Sequence, residues 1–468
     1  MLFYYAGRRA AGFSGFIFPY FKCRITVLKQ LPEAIYMNYQ EIYSSKLCTA
    51  DQVAAAAESG WRLGMDAGPA QTPKIISALC DRAKKDGLTG VMIHNMLDSF
   101  PFEFYADNAL DGIVNGISWF SSAGSRKAVN GGYGDLIPTY YRDAPAHIRE
   151  CYEYDAFCIA VSPMDSHGYF SMGAVASYAP AMLDKAKRIF VEVNENQPRC
   201  VCGPQIHVSQ VDAIVENNMP MPTLKPVTLD DKSITIGNLI AEQIPDGACI
   251  QLGIGAIPDA TGMALMSKHD LGIHTEMFTD SMVDLLNCGA ANNSKKQIHR
   301  GKTVATFAMG SRKIYDFIND NPCMEILPVE YVNDPAVIAQ NDNMISINAA
   351  IEVDIFGQVC AESIGTKHMS GTGGQVDFVR GACRSRGGKS FIAFTSTTKG
   401  ISKVKNTLTE GAICTTSKND VDYLVTEYGI AHLRGEPISS RAKQIIAIAH
   451  PDFRDELTFL AKKRGIII

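Results

Sequence analysis

The chain has 468 residues, of which 46% are hydrophobic and 20% charged, and a formal net charge of -5. That composition excludes a disordered, collagenous or coiled-coil chain, and with no basic excess it excludes a general electrostatic grip on nucleic acid. At ~150 residues per domain the length fits two large α/β domains or three smaller ones.

Residues 1–36 differ in character from the rest of the chain. They carry five basic residues (Arg8, Arg9, Lys22, Arg24, Lys29) against one acid, Glu33, and an apolar run from Ala10 to Phe21. Pro19 interrupts that run, and no small-residue cleavage pattern comes after it. The segment reads as an extension outside the fold, with a targeting peptide as the alternative. The character changes at Met37, where helical spacing begins and Thr49 or Asp51 offers an N-cap.

From Met37 onward short apolar runs alternate with helix-like stretches. The runs at 90–96, 156–162, 188–194, 248–255, 303–310, 344–357 and 390–396 are β-branched or aromatic and bounded by Gly, Pro or Asn, so each reads as a buried strand. Between them, 73–87 and 233–247 have helical periodicity and end on glycine. Strand, helix, strand predicts α/β architecture with two open parallel-sheet domains. Three prolines within 217–228 stop both helix and ladder. They place the boundary between a domain over 37–222 and a second over 223–468.

Thirteen scattered cysteines suggest reduced thiols in a cytoplasmic protein. Cys200 and Cys202 form a close pair without a second pair at zinc spacing, so no metal is expected. No apolar stretch calls for a membrane span. Several familiar motifs fail on register. GGKS at 387–390 has Cys383 where a phosphate loop needs glycine, and Pro258 replaces the third glycine of a dinucleotide loop.

Two glycine loops remain. Gly253-Ile-Gly255-Ala-Ile257-Pro258 comes directly after a predicted strand, and Ser370-Gly371-Thr-Gly373-Gly374-Gln375-Val-Asp377 places three glycines in four residues. Such loops let backbone N–H groups approach an anion or oxyanion; either is equally a tight structural turn. Between them Glu276 interrupts an otherwise apolar segment, with His274, Asp280 and Asp284 nearby. A carboxylate in a water-poor site can act as base or nucleophile, and the bland readings are a surface Glu and a core histidine.

GIGAIP, LGIHTEMFTD, INAAIEVDIFGQV, SGTGGQVDFVRGA, GGKSFIAF, NDVDYLVTEYGIAHLRG and IAHPDFRDEL occur in that order. In this the chain resembles the acetyl-CoA hydrolase/transferase family, and most nearly its 4-hydroxybutyrate and butyrate CoA-transferase branch. The likeness runs from Met37 to the C-terminus. It implies that Glu276 is the nucleophile and that CoA passes through a glutamyl-CoA thioester, with ping-pong kinetics. CoA is then a carried substrate, and the partners are acyl-CoA and small carboxylates. A homo-oligomer, dimer or tetramer, is implied by resemblance only.

Within that chemistry the tetrahedral oxyanions need preorganised donors. Backbone amides of Gly373 and Gly374 and the side-chain amide of Asn348 are the expected ones. Contacts to CoA are expected at Gly253, Gly255, Ile257 and Pro258, at Gly371, Gln375 and Asp377, and at Lys399; Lys389 is a further candidate for the phosphates. The expected acid is of the 4-hydroxybutyrate, butyrate or acetate type, or a C4–C5 dicarboxylate such as succinate or itaconate. A dicarboxylate would want a cation for its distal end, for which Arg126, Arg142 and Arg300 are available. The alternatives are an acyl-CoA hydrolase using the same Glu276 and a CoA-binding protein without turnover.

Overall fold

The computed structural model describes residues 38–106, 108–225 and 227–468. The expected extension at 1–36 therefore lies outside the described residues. The first sheet is built from β1 (Arg62–Ala67), β2 (Val91–Met96), β3 (Val114–Ser118), β4 (Asp135–Leu136), β5 (Ala156–Val161), β6 (Ile189–Val193) and β7 (Ala213–Glu216). Their order is β4-β3-β2-β1-β5-β6-β7, and every pairing is parallel. The second contains β8 (Cys249–Leu252), β9 (Gly272–Ile273), β10 (Met344–Ala349), β11 (Lys389–Ala393), β12 (Tyr423–Thr426) and β13 (Gly429–His432). It runs β9-β8-β10-β11-β12-β13, parallel except for the antiparallel edge strand β13.

The local reasons are those of covered parallel sheets. All six residues of β5, AFCIAV, are buried, because helices and loops cover both faces. The helix Pro73–Asp86 opens on proline, where a missing N–H costs nothing, and closes on Gly87 at φ 67. Its buried Ile75, Ile76, Leu79, Cys80 and Ala83 follow helical spacing and form one apolar stripe. Thr49 is the N-cap of Ala50–Ala54, in a reciprocal capping box with Gln52. One buried cluster runs from Ile159 and Val191 in the first sheet to Ile250 and Ile347 in the second.

Two of the expected strands divide. The 303–310 run becomes Thr303–Ala305, paired with Met324–Ile326, and Phe307–Ala308, paired with Met277–Phe278. The break falls at Thr306, whose carbonyl turns aside to accept the N–H groups of Ala176 and Ser177. The 344–357 run becomes β10 and Glu352–Asp354, which pairs with Val359–Cys360 and Val404–Lys405 in a separate sheet. β1 had no apolar run to announce it. Its Gly64 packs against Met182, whose Sδ would stand 2.5 Å from an added Cβ, so any side chain there would have to displace the methionine. Residues 217–225 and 227–230 carry neither helix nor strand. No helix among the described residues is long and apolar enough to cross a membrane.

Candidate active site

After β8 the chain crosses to β9 on one side and later returns to β10 on the other, so the carboxyl ends of β8 and β10 open onto a topological switch point. Open α/β sheets bind ligands at such crevices. Gly253 comes just after the last residue of β8, and Asn348 stands near the end of β10. Both line a cavity of about 160 Å³ with Glu276, Phe120 and the loop 370–375. Phe120 lies just beyond β3 of the first sheet, so both sheets deliver residues to this cavity.

Glu276 reaches it because the chain is pinned on either side. The Glu276 carbonyl accepts N–H bonds from Thr306 (3.0 Å) and Phe307 (3.2 Å), the backbone freed by the strand break at Thr306. His274 is fully buried and meets the Val332 carbonyl at 2.8 Å through Nε2. Burial pushes its ring down to about 3, so it is a neutral core residue that steadies the segment. Asp280 and Asp284 turn elsewhere, to Ser311 and Lys313.

The Glu276 carboxylate is half-buried at the cavity wall. Asn333 Nδ2 donates to its Oε2 at 2.7 Å, and the Gly374 backbone N–H also faces it. Burial pushes Glu276 up to about 7, while these two donors pull it back. An added Cβ on Gly374 would stand 1.8 Å from Oε2, so only glycine lets this backbone close on the carboxylate. Behind it, Asp377 faces Asn333 Nδ2 at 3.4 Å and pairs with Arg142 Nε at 3.4 Å. Burial and the neighbouring Glu276 hold Asp377 well above the usual carboxylate range, with Arg142 opposing.

The glycine loop is clamped from both halves of the chain. Tyr141 N–H donates to the Gly373 carbonyl at 3.1 Å, and the Glu362 carbonyl accepts from Met369 and Ser370. Gln375 Nε2 donates to the Ala349 carbonyl at 2.8 Å and its Oε1 accepts from Thr416, which fastens the loop to the end of β10. Asn348 and Gln251 exchange two amide hydrogen bonds, of 3.2 and 3.3 Å, at the cavity wall.

A partly buried carboxylate, with an amide and a glycine backbone beside it on a small cavity, fits acyl transfer. Comparison with known proteins agrees. Residues 32–225 match the acetyl-CoA hydrolase/transferase N-terminal domain, and residues 310–461 match the C-terminal domain. The chain is 45% identical to the succinyl-CoA:cyclohexane-1-carboxylate CoA transferase of Geobacter metallireducens, over 92% of this chain and 98% of that one.

The chain belongs to the acetyl-CoA hydrolase/transferase family.

It is also 43% identical to the 4-hydroxybutyrate coenzyme A transferase of Clostridium kluyveri, over 92% of this chain and all (100%) of that one. Among solved structures, RipA from Yersinia pestis superposes with a TM-score of 0.87 at 37% identity, covering 92% of this chain and 100% of that one. The 4-hydroxybutyrate CoA-transferase of Porphyromonas gingivalis superposes with a TM-score of 0.78 at 34% identity, covering 91% and 100%. Glu276 and Gly253 fall between the two segments matched to the family's domains.

Of the residues singled out from sequence, Glu276, Asn348, Gly253, Gly371, Gly373, Gly374 and Gln375 come together around this cavity. Gly255 stands beside it as the N-cap of the helix Ala256–Ala264, at φ 119. Ile257 and Pro258 point into the buried side of that helix. Asp377 lies behind Glu276 rather than on the cavity wall, because Arg142 and Asn333 hold it there. Lys399 is exposed in the turn between Thr397–Thr398 and Ile401–Ser402, away from the lining. Lys389 Nζ donates to the Gln243 carbonyl at 2.9 Å. A larger open groove of about 1080 Å³, bordered by Leu47, Lys74 and Phe102, contains none of these residues. Asn333, Gln251 and Phe120 were not visible from sequence; nothing in a lone amide or aromatic marks it as part of a site.

Proposed function

We propose that this CoA-transferase moves CoA between small carboxylic acids through a glutamyl-CoA thioester on Glu276. The observation that carries the reading is a half-buried carboxylate on a small cavity, gripped by an amide and a glycine loop. The Glu276 carboxylate attacks the acyl-CoA carbonyl, and CoA leaves as thiolate. The mixed anhydride so formed is attacked by that thiolate at the glutamyl carbonyl. The first acid departs and the enzyme keeps CoA as a thioester. A second carboxylate reverses the steps. CoA is carried, not consumed. The thioester has to be kept from water, which would otherwise hydrolyse it.

The lining contains no Lys or Arg. Arg142 is committed to Asp377, Arg126 Nε to the Met369 carbonyl, and Arg300 is exposed outside the lining. A distal carboxylate would meet no partner cation here. That favours a short acid with an uncharged tail, of the butyrate or 4-hydroxybutyrate type, over succinate or itaconate as the acid seated in this cavity.

Intact mass after acyl-CoA addition tests the mechanism. A CoA-sized adduct on Glu276 is expected, and its absence in Glu276→Gln. Acyl-CoA loss that proceeds at full rate without an added acid would instead make the chain a hydrolase. Equal turnover of butyrate and succinate would remove the preference for an uncharged tail.

A further inference from the structure

A second cavity, of about 180 Å³, lies at the far end of the helix Gln375–Arg384. That helix starts at the glycine loop and ends shortly before β11, so its last turn stands at the amino ends of the strands. The catalytic crevice is at their carboxyl ends. Arg380, Cys383 and Arg384 reach this cavity from the helix, Asp420 from the turn before β12, and Arg434 from just beyond β13. None of them lines the catalytic cavity.

Three guanidinium groups thus border one small space on a chain whose formal net charge is -5. Arg380 is held in place by the protein itself. It bonds Asp420 through Nε at 3.2 Å and a terminal nitrogen at 3.0 Å, and its guanidinium lies over the Tyr140 ring at 5.4 Å. Arg384 and Arg434 are exposed and have no hydrogen bond or ion pair among the described residues. Asp422, close by, is already taken by the Ser390 N–H at 3.2 Å and by His432 at 3.3 Å. Asp420 therefore offsets one of the three charges and leaves two.

A helix end accounts for part of this. The carboxyl end of a helix favours a cation, and Arg384 is in the last turn. Arg434 comes from another element, and like charges around one cavity repel each other. An anion between them turns that repulsion into attraction. A phosphate monoester carries about two negative charges at pH 7, on three acceptor oxygens. Guanidinium forks match those oxygens in geometry, and a guanidinium already fixed by Asp420 and Tyr140 loses little freedom on binding.

We propose that Arg380, Arg384 and Arg434 form a binding site for free phosphate or a phosphate monoester, separate from the place where CoA reacts. The inference does not depend on Glu276 being the nucleophile.

The test is calorimetric titration of the full chain with inorganic phosphate and with glycerol 3-phosphate. Ionic strength is held constant with sodium chloride, and free CoA is present in excess to fill the catalytic cavity. Saturable binding to a single site per chain is expected. Arg384→Ser and Arg434→Ser should each weaken it by about tenfold, and the two together by about 100-fold. Both side chains are exposed, so circular dichroism should be unchanged. In phosphate-free buffer the double variant should keep the kcat and the acyl-CoA KM of the parent. Saturable binding of neither probe to the unaltered chain would overturn the proposal, whatever the variants do. So would equal affinity in the double variant. A KM for acyl-CoA raised about tenfold in that variant, with kcat unchanged, would give the pocket to the phosphates of CoA and remove the separate site.

Discussion

The two glycine loops meet at one cavity, and Gly255 of one and Gly374 of the other are glycine for different reasons. In the loop after β8, Gly255 adopts φ 119, which other residues avoid, and nothing lies within 4 Å of where its Cβ would be. In the loop before Gln375–Arg384, Gly371 would touch the Trp119 carbonyl at 3.1 Å, Gly373 the Phe120 ring at 3.1 Å, and Gly374 the Glu276 carboxylate at 1.8 Å. At Gly255 the first loop borders open space, where a ligand can approach its backbone, while Gly253 lies against the Ile347 carbonyl. The other is already filled by the protein's own groups. In the proposed mechanism Gly255 would serve access and Gly374 the reacting atoms.

The sharpest way to break this contrast is Gly374→Ala. Its φ of -101 suits alanine, so the backbone carries no strain. The added methyl has no room beside Oε2 and Asn333 Nδ2, and must push the Glu276 carboxylate aside. A fall in kcat of about 10³-fold is expected with the fold intact, measured by steady-state kinetics beside circular dichroism. Normal turnover would show that the second loop does not grip the nucleophile.

The same grip sets the pH response. In the proposed mechanism Glu276 must be ionised to attack, and burial holds it up at about 7 against the pull of Asn333 and the Gly374 N–H. kcat/KM should therefore be flat above pH 8 and fall by about tenfold for each unit below pH 6 as the carboxylate takes up a proton. An acid limb near the ordinary carboxylate value would mean that the site is wet.

Stability gives a third measure, of opposite sign. A carboxyl group raised in the folded chain binds its proton more tightly there than when unfolded. Its contribution is complete at low pH and is lost as pH rises through about 7. Glu276→Gln removes that burden. It should be more stable than the parent by about 1–3 kcal/mol at pH 8 and by little at pH 5, read from thermal unfolding at both. An equal gain at both pH values would locate the effect in packing rather than charge.

How far the sequence reached depends on range. Glu276 and both glycine loops were legible because each is a contiguous motif resembling a known family, and β5 and β6 were legible as apolar runs. β1 was not, because RLGMDA holds Arg, Gly and Asp, and its place in the sheet comes from pairing with β2 and β5. Asn333 was not, because its meaning depends on Glu276, 57 positions away, and Arg142 depends on Asp377, 235 positions away. Lys399 and Lys389 were candidates for the CoA phosphates from their charge alone, and charge does not announce where a side chain will stand. The turn beyond β11 leaves one exposed, and a carbonyl takes the other.

The smallest effect expected is at the open loop. Gly255 sits at φ 119 and ψ -178, a region almost confined to glycine. Alanine there meets no neighbour, so the cost is backbone strain of about 1–2 kcal/mol. Because the strain is local and Glu276 is not touched, kcat should stay within about twofold while the KM for acyl-CoA rises, as the methyl narrows the approach to the backbone N–H groups. Steady-state kinetics with acyl-CoA and acid varied in turn separates the two parameters. A fall in kcat comparable to that of Gly374→Ala would show that the first loop, too, works on the reacting atoms and would erase the division between access and chemistry.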